Sequence, residues 1–213
     1  TEDCILSHYN LPGANKFGTV GKATNGVTSK LSGDGEILVK SDCLMLGYYK
    51  EPEKTKEMFT DDGFLRTGDV GEFDHDGYLS ITGRVKDQFK TDKGKYISPA
   101  PIELEYTKNT DIEQVCLVGM GIPQPLALVV PSELGHKKTK EELSKSLAET
   151  LRQINPSLQS YEKVAKVVIM KEEWSVDNGL LTPTMKIKRN QVEKIHMHMY
   201  KDWFDQENDV IWE

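Results

Sequence analysis

The stretch Gly83 to Glu103, GRVKDQFKTDKGKYISPAPIE, constrains this chain more than any other segment. It joins a Gly-Arg corner to a lysine-rich loop that carries a glycine, and then to a helix begun by proline. Ser98 followed by Pro99 supplies an N-cap position and a first-turn proline, whose fixed φ and missing N–H suit a helix start. The chain before this stretch is written in a different pattern. Residues up to about Thr82 read as short strands and turns. Gly35-Glu36-Ile37-Leu38-Val39-Lys40 is a compact strand bounded by the turn Ser32-Gly33-Asp34-Gly35. Phe73, then Leu79 and Ile81, flank Asp74-His75-Asp76-Gly77, which predicts a hairpin with a four-residue loop. From about Val85 onward the pattern is mixed. Val115 to Val118, Leu126 to Val130 and Val164 to Met170 are apolar runs of strand length. Thr139 and Glu142 make a capping box, and Leu143, Leu147, Leu151 and Ile154 mark one helical face that Asn155-Pro156 ends. A last helix is expected over Asn190 to Phe204, with Val192, Ile195 and Met199 on one side. The fold class expected is therefore α+β: a small β-rich subdomain over 1–83, a hinge at 84–86 and a mixed α/β domain over 87–213.

The balance of charge narrows the partners. A formal net charge of −7 on 213 residues argues against a nucleic-acid binder, because a phosphate backbone calls for a concentrated basic face. Lysines do gather between Lys86 and Lys95, which suits a small anionic ligand better than a polymer. No run approaches the ~20 apolar residues that cross a bilayer, so no transmembrane segment is expected. The chain opens Thr-Glu-Asp-Cys, without the basic and apolar regions of a targeting segment, and reads as cut rather than begun. Cys4, Cys43 and Cys116 are odd in number, far apart and without CxxC spacing, which favours a reducing, cytoplasmic setting over disulfides or zinc. His196-Met197-His198 does not suggest a metal site, since positions i and i+2 diverge on a helix.

Several residues carry chemistry that the composition does not. Asp69 stands in Arg66-Thr67-Gly68-Asp69, and an ionised carboxylate there can accept both hydroxyl protons of a diol; the same tetrapeptide also reads as a plain tight turn. Arg84 offers a permanently charged fork for ribose, phosphate or carboxylate oxygens, or simply a surface ion pair. Lys93-Gly94-Lys95 lets backbone approach a ligand between two cations, or forms a solvated turn. Lys186, within Leu181-Thr182-Pro183-Thr184-Met185-Lys186-Ile187-Lys188-Arg189, is either one lysine of a solvated face or a charge placed against a reacting phosphate.

Taken in order, FLRTGDV (Phe64 to Val70), the Gly83 to Glu103 stretch and LLTPTMKIKR (Leu180 to Arg189) resemble the adenylate-forming ligase superfamily, and within it the long-chain fatty acyl-CoA synthetases. The resemblance implies that Asp69 holds the ATP ribose, with Arg84 and Ile81 in the nucleotide site. It implies that Lys86 is the hinge, where some relatives carry aspartate, and that Lys93, Gly94 and Lys95 line the coenzyme A tunnel. Lys186 then matches the catalytic lysine, although many relatives have glycine where this chain has Met185. Thr1-Glu2 resembles the end of the family's central phosphate motif, giving Thr1 a phosphate contact and Glu2 a share of Mg2+. ATP, Mg2+, coenzyme A and a fatty acid are the implied ligands, with possible peripheral contact between the intact enzyme and a membrane. The family's Ser/Thr/Gly-rich phosphate loop is not in this sequence, so the resemblance implies a C-terminal fragment that needs an N-terminal domain and is inactive alone. Acyl transfer to a carrier protein, or a non-catalytic adenylate-ligase-like binding module, remain the alternatives at this point.

Overall fold

The computed structural model describes residues 2–3 and 6–213; Thr1 and Cys4 lie outside the described residues. The chain divides into two compact units, Thr1–Lys86 and Asp87–Glu213.

The first unit is β-rich. Strands β1 (His8–Tyr9) and β2 (Lys22–Ala23) pair antiparallel. The sheet that follows takes its strands in chain order: β3 (Thr28–Leu31), β4 (Glu36–Lys40), β5 (Leu65–Phe73) and β6 (Leu79–Arg84), all antiparallel. A short helix α1 (Pro52–Glu57) falls between β4 and β5 in the chain. Strand β4 is buried from Glu36 to Val39, and Ile37, Val39 and Leu79 form the core, with Val20, Val27, Leu31 and Phe73 packed on it. The β5–β6 hairpin corrects its expected loop. Phe73 pairs with Leu79, so the loop runs 74–78 and includes Tyr78. Asp74 is the reason, because its Oδ1 accepts from the N–H groups of Asp76 and Tyr78, both at 2.9 Å, and closes the wider turn. The Lys16 ammonium 2.5 Å from Asp74 Oδ2 holds this carboxyl low, at about 2.

The second unit is a sheet covered by helices on both faces. Strands β7 (Phe89–Lys90) and β8 (Tyr96–Ile97) form a small hairpin ahead of α2 (Pro99–Tyr106). Next come β9 (Ile112–Val118), β10 (Leu126–Pro131), α3 (Glu133–His136), α4 (Lys140–Ile154) and β11 (Lys166–Ile169). Helices α5 (Arg189–His196) and α6 (Tyr200–Phe204) precede β12 (Val210–Trp212). The sheet order is β12-β11-β10-β9, with β10 antiparallel to β9 and parallel pairing between β10, β11 and β12. Side chains along a strand alternate between faces. Val115, Leu117, Ala127, Val129, Val167 and Ile169 accordingly enter one core with α2 and α4, while Cys116, Val118, Leu126, Leu128 and Val168 enter another with Val192, Tyr200 and Trp203. Each aliphatic side chain so buried contributes about 1.5–3 kcal/mol.

Local signals explain the helices, with two corrections. Helix α4 carries the capping box, its Thr139 hydroxyl accepting from the Glu142 N–H and the Glu142 carboxylate accepting from the Thr139 N–H, and Leu143, Leu147, Leu151 and Ile154 are buried. Helix α2 does start at Pro99, but the Ser98 hydroxyl caps no helical N–H; it accepts from Gln88 Nε2 at 2.9 Å instead. The expected last helix is broken by a 3-10 turn over Met197–Met199. Its buried residues are Val192, His196, Tyr200 and Trp203, whereas Ile195 is 48% exposed. His196 takes the inward position one helical turn after Val192, with Glu213 3.4 Å from its Nδ1, and burial holds the imidazole below its ordinary range. Among the described residues no helix is long and apolar enough to cross a membrane.

Candidate functional site

In the first unit a cleft of about 700 Å³ opens beside the sheet, lined among others by Glu2, Tyr48, Asp69, Ile81, Arg84 and Lys86. Its lining includes Arg66-Thr67-Gly68-Asp69 of β5, a bulged stretch where the register against β4 shifts. Gly68 sits at φ +73°, a left-handed setting that glycine adopts without Cβ strain. Buried Glu36 of β4 holds that bulge, accepting from Arg66 Nη1 at 3.0 Å and from the Gly68 N–H at 3.1 Å. The Thr67 hydroxyl donates to the Ile37 carbonyl at 2.7 Å and accepts from the Asp69 N–H at 3.1 Å. Asp69 is thereby fixed opposite its register partner Arg84, and Arg84 Nε lies 2.9 Å from Asp69 Oδ1. The arginine side chain is 65% exposed and the carboxylate 26%, so the pair faces solvent. A carboxylate offers about four lone-pair sites, and the Arg84 contact leaves capacity to accept hydroxyl protons. Ile81 adds exposed apolar surface to the same cleft, and Lys86 is an exposed cation on its lining.

Glu2 also lines this cleft and accepts from the Tyr48 hydroxyl at 3.1 Å. A backbone hydrogen bond, and after it the Tyr48 hydroxyl, hold its carboxyl below the ordinary carboxylate range. Mg2+ is commonly bound through one or two carboxylates, with waters and substrate phosphates completing its octahedron. One ionised carboxylate on an open cleft fits that donor set. Among the described residues no group of three or more His, Cys, Asp or Glu could hold an ion unaided. Glu36, Thr67 and Tyr48 escaped the sequence reading as site residues. Glu36 did leave a signal, being a lone carboxylate at the head of an otherwise apolar strand.

The second unit carries its candidate residues on exposed turns. Lys93, Gly94 and Lys95 form the tip of the β7–β8 hairpin, with Gly94 at φ +75°. Thr91 closes that tip: its N–H donates to the Lys95 carbonyl at 2.9 Å and its hydroxyl accepts from the Lys95 N–H at 3.1 Å. Lys186 closes another tight turn, where the Thr182 N–H donates to the Lys186 carbonyl at 2.8 Å and Leu181 bridges Ile187. The Met185 N–H donates to the Thr182 carbonyl at 2.8 Å and the Lys186 N–H to the Thr182 hydroxyl at 3.0 Å. Met185 precedes the lysine at φ +62°, a left-handed setting that is strained for a side chain with a Cβ. Lys186 is exposed and makes no ion pair among the described residues. Of the thiols, Cys43 is exposed, while Cys116 is buried and its thiol is pushed up to about 12, chiefly by burial.

Comparison with known proteins places these turns in a family. The profile of the AMP-binding enzyme C-terminal domain matches residues 86–207. The rat protein long-chain-fatty-acid–CoA ligase 5 is 32% identical over 95% of this chain and 32% of its own length. Long-chain-fatty-acid–CoA ligase FadD15 of Mycobacterium tuberculosis is 34% identical over 83% of the chain and 32% of its own length. The chain thus spans about a third of the curated relatives that it matches. Among solved structures, the A-PCP didomain of carboxylic acid reductase from Segniliparus rugosus, in complex with AMP, superimposes with a TM-score of 0.70 at 25% identity, over 88% of this chain and 28% of that one. ATP-bound MatB from Rhodopseudomonas palustris does so with a TM-score of 0.61 at 27% identity, over 86% of this chain and 36% of that one. The match of more than half the sequence, carried on an α+β fold shared with adenylate-forming enzymes, makes this chain a member of the AMP-binding enzyme C-terminal domain family.

Proposed function

We propose that this chain is the C-terminal part of an ATP-dependent long-chain fatty acid–CoA ligase, which forms an acyl-adenylate with release of pyrophosphate and then the acyl thioester of coenzyme A. The observation that carries the proposal is the Asp69–Arg84 pair, fixed by Glu36 and Thr67 and opening on a cleft of about 700 Å³. In this reading Asp69 accepts the ribose hydroxyls, Arg84 contacts ribose or phosphate oxygens, and Ile81 packs on the nucleotide. Glu2 would supply one oxygen to Mg2+, which neutralises phosphate charge when bound; the phosphate contact assigned to Thr1 falls outside the described residues.

Lys186 neutralises charge that develops as the fatty acid carboxylate attacks the α-phosphate. Lys186 is exposed and forms no ion pair among the described residues, which suits a charge kept available for substrate. Lys93, Gly94 and Lys95 line the path of the pantetheine arm, where the glycine gives backbone access and the lysines favour the coenzyme phosphates. Lys86, exposed at the end of the first unit, is the hinge about which the second unit turns between the half-reactions. The names of the relatives favour coenzyme A over a carrier protein as the acyl acceptor.

The test is pyrophosphate release by the longer polypeptide that carries this chain. Release should require ATP and a long-chain fatty acid, and Asp69→Ala should raise the KM for ATP. Absence of fatty-acid-dependent release across a series of chain lengths would sink the proposal.

A further inference from the structure

Strand β9 is an edge of its sheet, and its residue Leu117 directs both backbone polar groups away from β10. An unpaired edge normally seeks water or another strand. Here two side chains from separate helices occupy it. Glu103 of α2 accepts from the Leu117 N–H at 2.6 Å, and Arg189, the first residue of α5, donates through Nη1 to the Leu117 carbonyl. The ring is closed between the side chains, with Arg189 Nη2 2.6 Å from Glu103 Oε1. The Arg189 and Glu103 side chains are only 15% and 17% exposed, and Arg189 Nη1 also lies 3.2 Å from Cys116 Sγ.

We propose that this pair is a positioning clamp for Lys186, an inference that rests on the assignment of Lys186 to adenylation. Arg189 stands three residues after Lys186 in the chain. The turn that carries the lysine has two feet. One is Leu180-Leu181, 7% and 0% exposed in the core, and the other is the start of α5, where the Lys188 N–H meets the Leu180 carbonyl at 2.8 Å. The core touches both feet, through Leu180 and Leu181 on one side and through Ile187, packed on the same cluster, on the other. The second is further fastened by Arg189 gripping Leu117 and Glu103, a polar hold beyond the apolar one, so the clamp sets the direction in which the turn presents the ammonium group of Lys186. The guanidinium is suited to this because its planar fork meets a carboxylate and a carbonyl at once.

Backbone 15N order parameters on the 213-residue chain test the clamp without reference to any reaction. In the unaltered chain Met185 and Lys186 should show values near the rigid figure of about 0.85. In Arg189→Met both should fall below about 0.6, the flexible range, while Leu147 and Val167 keep theirs. Because removing one partner leaves a buried charge that can unfold the domain, the double variant Glu103→Gln/Arg189→Met provides the same test with both charges gone. The clamp is overturned if Lys186 is mobile from the start, if it stays rigid in a folded variant, or if the whole unit loosens equally.

In the longer enzyme R189M should slow adenylation at least tenfold, and combining it with Lys186→Ala should add nothing to the loss from Lys186→Ala alone. Additive losses would mean that Arg189 acts elsewhere. Failure of the functional reading looks different, since Lys186→Ala would then leave adenylation intact whatever the order parameters show.

Discussion

The two units hold their candidate residues by opposite means. In the first, Asp69 is inlaid in the sheet: Glu36, Thr67 and Arg84 hold its bulge in β5 through hydrogen bonds and an ion pair over a modest core centred on Ile37, Val39 and Leu79. In the second, Lys186 and Gly94 stand on exposed turns hung from a sheet buried on both faces. The difference teaches where chemistry and stability are coupled. Altering the inlaid site should disturb the unit that contains it, whereas altering an exposed turn should remove the role proposed for it and leave the core untouched.

The largest expected effect tests the exposed turns. In the longer enzyme, Lys186→Ala should cost adenylation roughly 10²–10³ in rate, while thioester formation from supplied acyl-adenylate and the melting of the second unit stay unchanged. Gly94→Val should do the reverse, because a side chain at φ +75° both strains the turn and obstructs the path assigned to pantetheine. Equal damage to both half-reactions by both substitutions would break the comparison.

Next in size is Glu36→Ala, which leaves the Gly68 N–H unpaired and should cost the first unit about 1–3 kcal/mol. Trp174, Trp203 and Trp212 all lie in the second unit, so tryptophan fluorescence follows that unit alone. Glu36→Ala should shift the urea midpoint seen by tyrosine absorbance and leave the tryptophan midpoint in place. Thr139→Ala should instead shift the tryptophan midpoint, removing the capping box of α4 at a cost of about 1 kcal/mol, with no effect on either half-reaction. Smallest is Met185→Gly. Relief of left-handed strain outweighs the added flexibility of the unfolded chain, for a gain of roughly 0.5 kcal/mol. A loss of stability there would show that Met185 is held by contacts and not merely tolerated.

What the sequence made legible was local. The turn Ser32 to Gly35, the capping box of Thr139 and Glu142 and the buried face Leu143-Leu147-Leu151-Ile154 all depend on residues within one or two turns of each other, and each is found where its pattern places it. The illegible parts depend on partners distant in the chain. Ser98 gives up its capping bond to Gln88, Ile195 lies outward while its neighbour His196 is buried near Glu213, and Val210 to Trp212 is too short to show alternation but is a strand because β11 is there to pair with it. At the site, the order of Asp69, Arg84, Gly94 and Lys186 could be read directly. Glu36, which supports the Asp69 bulge from thirty-odd positions upstream, could not, because its importance appears only once β4 and β5 lie side by side.

The parallel pairing of β12 with β11 bears on how the second unit is made. Its sheet is laid down in order of synthesis, from β9 through β10 and β11 to β12. A nascent chain emerging from the ribosome therefore has helix α4 and most of both cores available while the flank of β11 is still bare. Translation proceeds at about 5–20 residues per second, so the sheet passes through a stage in which an apolar strand, Val167-Val168-Ile169, presents open hydrogen-bonding groups to its surroundings. Strand β12 ends that stage and acts as the chain's own edge guard, leaving a charged Glu213 beside His196 and Lys171 where an unguarded strand would invite a second molecule.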